Sequence, residues 1–188
     1  MLIQLLIQHP QALGPVLQHT PVWVWGLFAA LLALGLSQVR TRSVSALRMA
    51  LMPVAMAGLS LWGTASAFGS SPLFVYVLLA WAVCTALMLG LMAPLAAPAG
   101  TFYDATSRRF HMPGSWVPLV LILGIFLTKY IVGIELSMQP PLARDGQYTL
   151  IVGGLYGLFS GLFAGRAARL WRLARRPGAR PAATAFNT

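Results

Sequence analysis

Five apolar segments account for most of this sequence, and each has about the length that a helix needs to cross a membrane. Covering the hydrocarbon core takes roughly 20 apolar residues. Only 9% of the residues are charged, whereas soluble domains carry about 25%, so much of the surface is expected to face lipid. We predict an all-α fold, a polytopic membrane helix bundle of about five transmembrane helices. The spans are predicted at about residues 22–38, 46–68, 73–96, 116–136 and 148–170.

The predicted bundle is a single transmembrane helical domain over residues 1–174, with terminal segments of a different character. Residues 1–20 open with an apolar stretch that has no basic residue ahead of it and is broken by Gln4, Gln8 and Pro10, which is unlike a signal peptide. We expect an interfacial helix or a partly re-entrant segment there. Residues 175–188 are expected to form a basic, disordered cytoplasmic tail.

The connection between the third and fourth spans contains two short runs with aromatic residues, at 101–104 and 109–112. Two such runs separated by a few polar residues are typical of a short β-hairpin. An irregular loop whose aromatic side chains dip into the membrane interface fits the same pattern, and the sequence leaves both interpretations open.

The basic residues lie almost entirely on one predicted side of the membrane. With five spans, that side holds eleven of the thirteen Lys and Arg residues, while Arg144 lies opposite and Lys129 lies within the fourth span. Cytoplasmic loops are enriched in Lys and Arg, so the N-terminus is predicted outside and the C-terminus in the cytoplasm. The net charge of +10 is then explained by orientation, and nucleic acid is not expected as a partner.

Residues 19–25 read His-Thr-Pro-Val-Trp-Val-Trp, and residues 109–116 read Arg-Phe-His-Met-Pro-Gly-Ser-Trp. This pattern resembles an uncharacterised family of small bacterial inner-membrane proteins that open with a His-Thr-Pro-x-Trp-Val-Trp stretch. The likeness extends through Gly165-Arg166 and Leu170-Trp171-Arg172, so it covers most of the chain. The resemblance implies a location in the bacterial plasma (inner) membrane. The family has no established activity, so no functional residue can be carried over from it.

The last predicted span carries four glycines at a strict spacing of four residues: Gly153, Gly157, Gly161 and Gly165. Residues four apart share one face of a helix, so this face has no side chains. Such a face lets another backbone approach closely and favours helix association in lipid. The partner is expected to be another helix of this chain, with the second span favoured for its small residues, although a second copy of the chain stays open.

Lys129 is the one basic residue well inside a predicted span, and an intramembrane charge often marks a pathway or a pocket. A lysine at this depth can also snorkel toward the outer surface. Glu135 follows about 240° further around the helix, so a direct pair is not expected, although both residues could line one pocket. Five arginines extend the last span, and we predict that they contact anionic headgroups. They are Arg166, Arg169, Arg172, Arg175 and Arg176.

No pattern of catalytic residues, cofactor-binding residues or metal ligands stands out. The chain has only three acidic residues, with Asp104 predicted across the membrane from the other two, and a single cysteine, Cys84. We therefore predict no enzyme, no cofactor and no metal site. The favoured function is a scaffold or accessory subunit that binds another membrane protein, a second copy or anionic lipid. The alternative is a small transporter or channel for an anionic or lipid-like solute, with Lys129 near the path.

Overall fold

The computed structural model describes Gln18 and residues 20–175. This part of the chain is mostly helical and contains one small antiparallel sheet. Its elements follow in chain order: α1 (Val22–Ser37), β1 (Arg42–Ser45), α2 (Ala46–Phe68), α3 (Phe74–Met92), β2 (Phe102–Asp104), β3 (Arg109–Met112), α4 (Val117–Met138), a 3-10 helix (Pro140–Arg144) and α5 (Gly146–Ala174).

Helices α2, α3, α4 and α5 are long and apolar enough to cross a membrane. Helix α1 is apolar but has only 16 residues, about 24 Å, which is shorter than a hydrocarbon core of about 30 Å. The outer surfaces of these helices carry many exposed apolar side chains; Trp62, for example, is 75% exposed. A surface of this kind needs a nonaqueous environment or a partner to cover it. The prediction of several membrane-spanning helices is therefore supported, for four of the five segments.

Helices α3 and α5 begin or end at other residues than the predicted spans, because proline and capping residues near their ends determine where a helix can start and stop. Helix α3 ends at Met92 rather than near residue 96, because Pro94 has no N–H with which to continue the helix. Helix α5 begins before the predicted span because the Asp145 carboxylate accepts a 2.7 Å hydrogen bond from the Tyr148 N–H. It also continues to Ala174 through an arginine-bearing turn that is too polar to be recognised as part of a span.

The described residues form two compact units. The helix-pair unit consists of α1 and α4, within residues up to Val39 and from Ser115 to Leu142. The sheet unit consists of the three strands with α2, α3 and α5, within Arg40–Gly114 and from Ala143 onward. This division does not test the predicted single domain over 1–174, which concerns insertion in one membrane. Most of the predicted segments 1–20 and 175–188 lies outside the described residues.

In the helix-pair unit, α1 and α4 are antiparallel. A Cβ atom on Gly35 would collide with the side chain of Leu119, so the glycine allows close approach at one end. At the other end, the hydroxyl groups of Thr20 and Tyr130 are hydrogen-bonded at 2.5 Å. Four contacts establish this arrangement, because the residue numbers rise along α1 while they fall along α4. They are Thr20 with Tyr130, Phe28 with Phe126, Gly35 with Leu119, and Gln38 with Ser115.

The sheet has the strand order β1-β3-β2, with both pairs antiparallel. The hairpin interpretation of residues 101–112 is confirmed by the pair β2–β3. The first strand was not predicted, because Arg42–Ser45 has one apolar residue and no alternating pattern over its four positions. Val44 lies opposite Phe110 in the sheet, and both are buried, which defines an inner face that packs within the sheet unit.

Candidate functional site

The four glycines of α5 lie directly against α3. A Cβ atom on Gly153 would lie 2.7 Å from the Val77 carbonyl oxygen, and one on Gly161 would lie 2.7 Å from that of Thr85. Such distances are far below ordinary van der Waals contact, so these positions exclude any larger side chain. Cβ atoms on Gly157 and Gly165 would likewise collide with Trp81 and Met92. The expectation that the second span faces the glycines is wrong, because the partner is α3.

The glycine contacts advance in the same direction along both helices. From Gly153 to Gly165 in α5, the facing residues progress from Val77 to Met92 in α3. The two helices are therefore parallel. Sequence analysis favoured α2 for its small residues, whereas α3 offers its backbone through ordinary residues such as Val77.

A polar cluster crosses the centre of the sheet unit, and sequence reasoning missed it. The indole N–H of Trp81 lies 3.1 Å from Ser60 Oγ in α2 and 3.3 Å from Ser160 Oγ in α5. The Thr85 hydroxyl donates to the Gly157 carbonyl oxygen at 3.1 Å. Hydrogen bonds of this kind join helices where water is absent. Trp81 is the one tryptophan in the middle of a predicted span, and this position was the available signal.

Three basic segments meet at one end of the sheet unit. The segments are residues 40–48, 108–109 and 166–175. Strand β1 of the first segment pairs with β3, which begins in the second. Phe110 of β3 contacts Trp171 in the third, with ring centroids 6.3 Å apart. The Arg172 guanidinium donates a 2.7 Å hydrogen bond to the carbonyl oxygen of Ala93, just after α3. We call this region the basic end. Distant parts of the sequence therefore place their arginines together.

The opposite end of the sheet unit has a different composition. The turn between α2 and α3 lies there, and the Ser71 hydroxyl donates a 2.6 Å hydrogen bond to the carbonyl oxygen of Ala143. Arg144 is the basic residue next to this contact. The two ends thus differ strongly in positive charge, as the sequence distribution requires.

The arginines predicted to follow the last span occupy several environments within the basic end. Arg172 and Arg175 are exposed, whereas Arg166 and Arg169 are half-buried. The Nε atom of Arg169 is buried and has no hydrogen-bond partner among the described residues. Arg176 lies outside the residues that the structure describes.

Arg42 of β1 joins this group. It is half-buried and precedes Val44 by two residues, so both side chains point to the inner face of the sheet. Burial, and after it the positive charge of Arg48, lowers the pKa of the Arg42 guanidinium. On the outer face, Asp104 accepts hydrogen bonds from the Ser107 hydroxyl and the Thr106 N–H, which lower the pKa of its carboxyl.

Lys129 and Glu135 lie on α4 in the helix-pair unit, and both are half-buried. They are separated by about 9 Å along the helix axis. A Cβ atom on Gly133 would meet nothing within 4 Å, so there is open space one turn beyond Lys129. The neighbouring Tyr130 is bonded to Thr20 and stacks on Phe126. The pocket assigned to Lys129 and Glu135 stays a prediction.

No group of three His, Cys, Asp or Glu side chains in Gln18 and residues 20–175 lies close enough to hold a metal ion. No curated protein and no solved structure matches the chain. The model of one family, described as "Family of unknown function (DUF6622)", matches residues 1–182. This agrees with the expected membership of an uncharacterised family. The chain belongs to that family of unknown function.

Proposed function

We propose that the protein is a non-enzymatic, polytopic component of the bacterial plasma membrane, a scaffold or accessory subunit that binds anionic lipid through its basic end. The single observation that carries this proposal is the gathering of three basic segments at one end of the sheet unit. Positive charge on this scale is attracted to anionic headgroups, at about 1 kcal/mol for each Lys or Arg near the surface.

The geometry of α5 supports this placement at the interface. The helix has 29 residues, about 44 Å, and is therefore longer than a hydrocarbon core of about 30 Å. About 14 Å must lie beyond the core or be accommodated by tilt, and the arginines are confined to the C-terminal end of the helix. The exposed guanidinium groups of Arg172 and Arg175 would then lie at headgroup level.

Parallel packing of α3 and α5 supports the predicted orientation. If both helices cross the membrane in the same direction, the intervening chain has to recross it an odd number of times, and α4 is apolar and long enough to do so. The ends of α3 and α5 that meet at Arg172 and Ala93 then lie on one side. Positive residues favour the cytoplasm, so we assign this side to the cytoplasm; with α1 and α2 each crossing once as well, the N-terminus is outside.

Reporter fusions test the topology. We expect fusions after Ser43, Thr106 and Arg180 to report the cytoplasm, and fusions after Gly69 and Ser137 to report the outside. A fusion after Thr106 that reports the outside would refute the orientation. Lipid binding is tested by purifying the protein in mild detergent and identifying co-purifying lipids and proteins by mass spectrometry, with enrichment of anionic lipid as the expected result.

The glycine face of α5 is occupied by α3 of the same chain, so a second protein or a second copy would have to bind elsewhere. The exposed apolar faces of α2 and α3 are available for this contact in the membrane; Val54 and Leu79 are examples, at 69% and 56% exposed. Cross-linking in native membranes would identify such a partner.

A transporter or channel is the second candidate, and the half-buried position of Lys129 within α4 favours it. On this hypothesis, Lys129→Met folds normally but loses solute movement or ligand binding. On the scaffold hypothesis, the same variant folds, inserts and keeps its lipids and partners. Comparing the two properties in one purified preparation separates the candidates.

A further inference from the structure

The inner face of the sheet and the end of α5 bring three half-buried guanidinium groups together. Arg42 shares the inner face with Val44, and Val44 and Phe110 are buried within the sheet unit. Arg166 and Arg169 lie on α5, five and two residues before Trp171, whose ring contacts Phe110. The positive charges of Arg169 and Arg42 both act on Arg166. Arg169 and Arg42 therefore both lie on the side of Arg166, beside the contact between the sheet and the end of α5.

The acidic residues of the sheet unit are not positioned to neutralise Arg166 and Arg169. Asp104 is engaged by Thr106 and Ser107 in the turn between β2 and β3. Asp145 caps the opposite end of α5, about 30 Å from Arg166 along the helix. The buried Nε of Arg169 has no hydrogen-bond partner among the described residues.

Burying the Arg169 guanidinium with its Nε unpartnered is costly, and an arrangement that retains such a group normally supplies an acceptor. Arginine forms paired, charge-assisted hydrogen bonds with the oxygens of phosphate groups. We propose that Arg42, Arg166 and Arg169 form a binding site for one phosphate group. This inference rests on the proposed function, because that function brings the basic end to the lipid headgroups. It goes further by naming phosphate as the chemical group that is bound.

The number of guanidinium groups favours a phosphate with two negative charges. A phosphomonoester carries a charge of about −1.5 to −2 near neutral pH, whereas the phosphodiester of a headgroup such as phosphatidylglycerol carries one. The group can be supplied by a lipid in the adjacent leaflet or by phosphate in solution. The site distinguishes the group by charge and by its oxygen acceptors, and the experiment distinguishes the two sources.

The test uses the purified full-length protein in a neutral detergent or in vesicles. Thermal unfolding is followed while inorganic phosphate replaces chloride at constant ionic strength. In parallel, binding is measured to vesicles that contain phosphatidic acid or phosphatidylglycerol at matched surface charge. We expect saturable binding of phosphatidic acid, stronger than that of phosphatidylglycerol. Saturable stabilisation by inorganic phosphate as well identifies a soluble source, and binding only to vesicles identifies a lipid.

Arg169→Gln is compared with Arg175→Gln, which removes the same charge from the exposed end of α5. We expect Arg169→Gln to weaken binding of the phosphate group about tenfold or more, and Arg175→Gln to weaken it less than about threefold. Arg169→Lys keeps the charge but loses the planar guanidinium, and it should fall between them. It provides a second measurement if Arg169→Gln does not fold.

Equal weakening by Arg169→Gln and Arg175→Gln would overturn the site and leave the proposed attraction to anionic membranes intact. The site would also be overturned if phosphatidic acid and phosphatidylglycerol bound equally at matched surface charge and Arg169→Lys did not change that binding. Failure of the unaltered protein to bind any anionic vesicle would remove the proposed function together with the site.

Discussion

The helix-pair unit and the sheet unit use different contacts to pack apolar helices. The helix-pair unit contains one basic and one acidic residue, Lys129 and Glu135. Its helices meet through Phe28 and Phe126, a glycine at Gly35 and one pair of hydroxyl groups. The described part of the sheet unit contains ten basic residues, a row of four glycines, a buried polar cluster and a sheet. Apolar composition alone therefore specifies that both units are helical, but not how their helices pack.

We expect the two units to differ in how well their helix interfaces tolerate substitutions. In the sheet unit, backbone meets backbone along three turns of α5, so its packing depends on the absence of side chains at defined positions. In the helix-pair unit, the ring contact between Phe28 and Phe126 is made by side chains, which can adjust their rotamers. Four principal substitutions, three of them with control variants, test whether this contrast holds.

The largest effect is expected at the glycine row. Gly157→Leu places a side chain where even a Cβ atom would lie 2.9 Å from the Trp81 Cα. Overpacking usually costs about 1–3 kcal/mol and more when backbone has to move, so we expect a loss above about 3 kcal/mol or no folded protein. Thermal unfolding in detergent, with retention of monodisperse protein, measures this loss.

Gly58→Leu in α2 is the matched control, because a Cβ atom there would meet nothing within 4 Å. It should change the unfolding temperature by little. Leu158→Ala, next to the glycine row, should also cost less than Gly157→Leu, because lipid can fill much of the space it leaves. Similar losses from all three variants would show that the glycine row does not limit the packing.

The polar cluster should contribute the next largest effect. Trp81→Phe keeps most of the ring but removes the N–H that bonds Ser60 and Ser160. The hydroxyl groups of Ser60 and Ser160 then lose a hydrogen-bond donor, which should lower the free energy of unfolding by about 1–2 kcal/mol. Trp62→Phe, on a side chain that is 75% exposed, is the control and should be nearly neutral. An equal loss for both variants would mean that ring size, rather than the hydrogen bonds, determines the effect.

The sequence predicted the helices well and the contacts between them poorly, for a physical reason. Length and hydropathy depend on local composition, so the segment from Ala46 to Phe68 was recognised with its observed bounds. Helix association depends on which faces meet, and α3 receives the glycine row without a small-residue stripe of its own. The position of Trp81 is unusual in the sequence, but its partners Ser60 and Ser160 come from two other helices.

The candidate phosphate site was only partly within reach of the sequence. From the sequence, Arg166 and Arg169 were predicted only to contact anionic headgroups, because they lie at the basic end of the last apolar segment. Both are half-buried in the structure, and β1, the strand that carries Arg42, gave no recognisable strand pattern. Arg42 could not be added until the antiparallel register placed it on the same face as Val44. Which residues share a face of the sheet depends on pairing between strands that are distant in sequence, and local periodicity does not reveal that pairing.

A smaller effect is expected from the hydroxyl pair of the helix-pair unit. Tyr130→Phe removes one partner of the hydrogen bond to Thr20. Hydrogen bonds between membrane helices contribute about 0.6 kcal/mol on average, so the unfolding temperature should fall slightly. Tyr76→Phe, at an exposed position of α3, is the control. A loss as large as that for Trp81→Phe would contradict the proposed contrast between the units.

The smallest effect is expected at Asp104, in the exposed turn of the sheet. The Ser107 hydroxyl and then the Thr106 N–H stabilise the carboxylate, which lowers the pKa of Asp104. A carboxyl with a lowered folded-state pKa stabilises the fold above its unfolded pKa of about 3.9, and this contribution is lost as the pH falls through the folded-state pKa. Asp104→Asn should therefore be slightly less stable than the unaltered protein at pH 7. Unfolding curves at pH 7 and in steps toward pH 3 should converge, because the unaltered carboxylate becomes protonated while the amide does not titrate. A difference that grows toward acidic pH would have the opposite sign and would exclude this role for the turn.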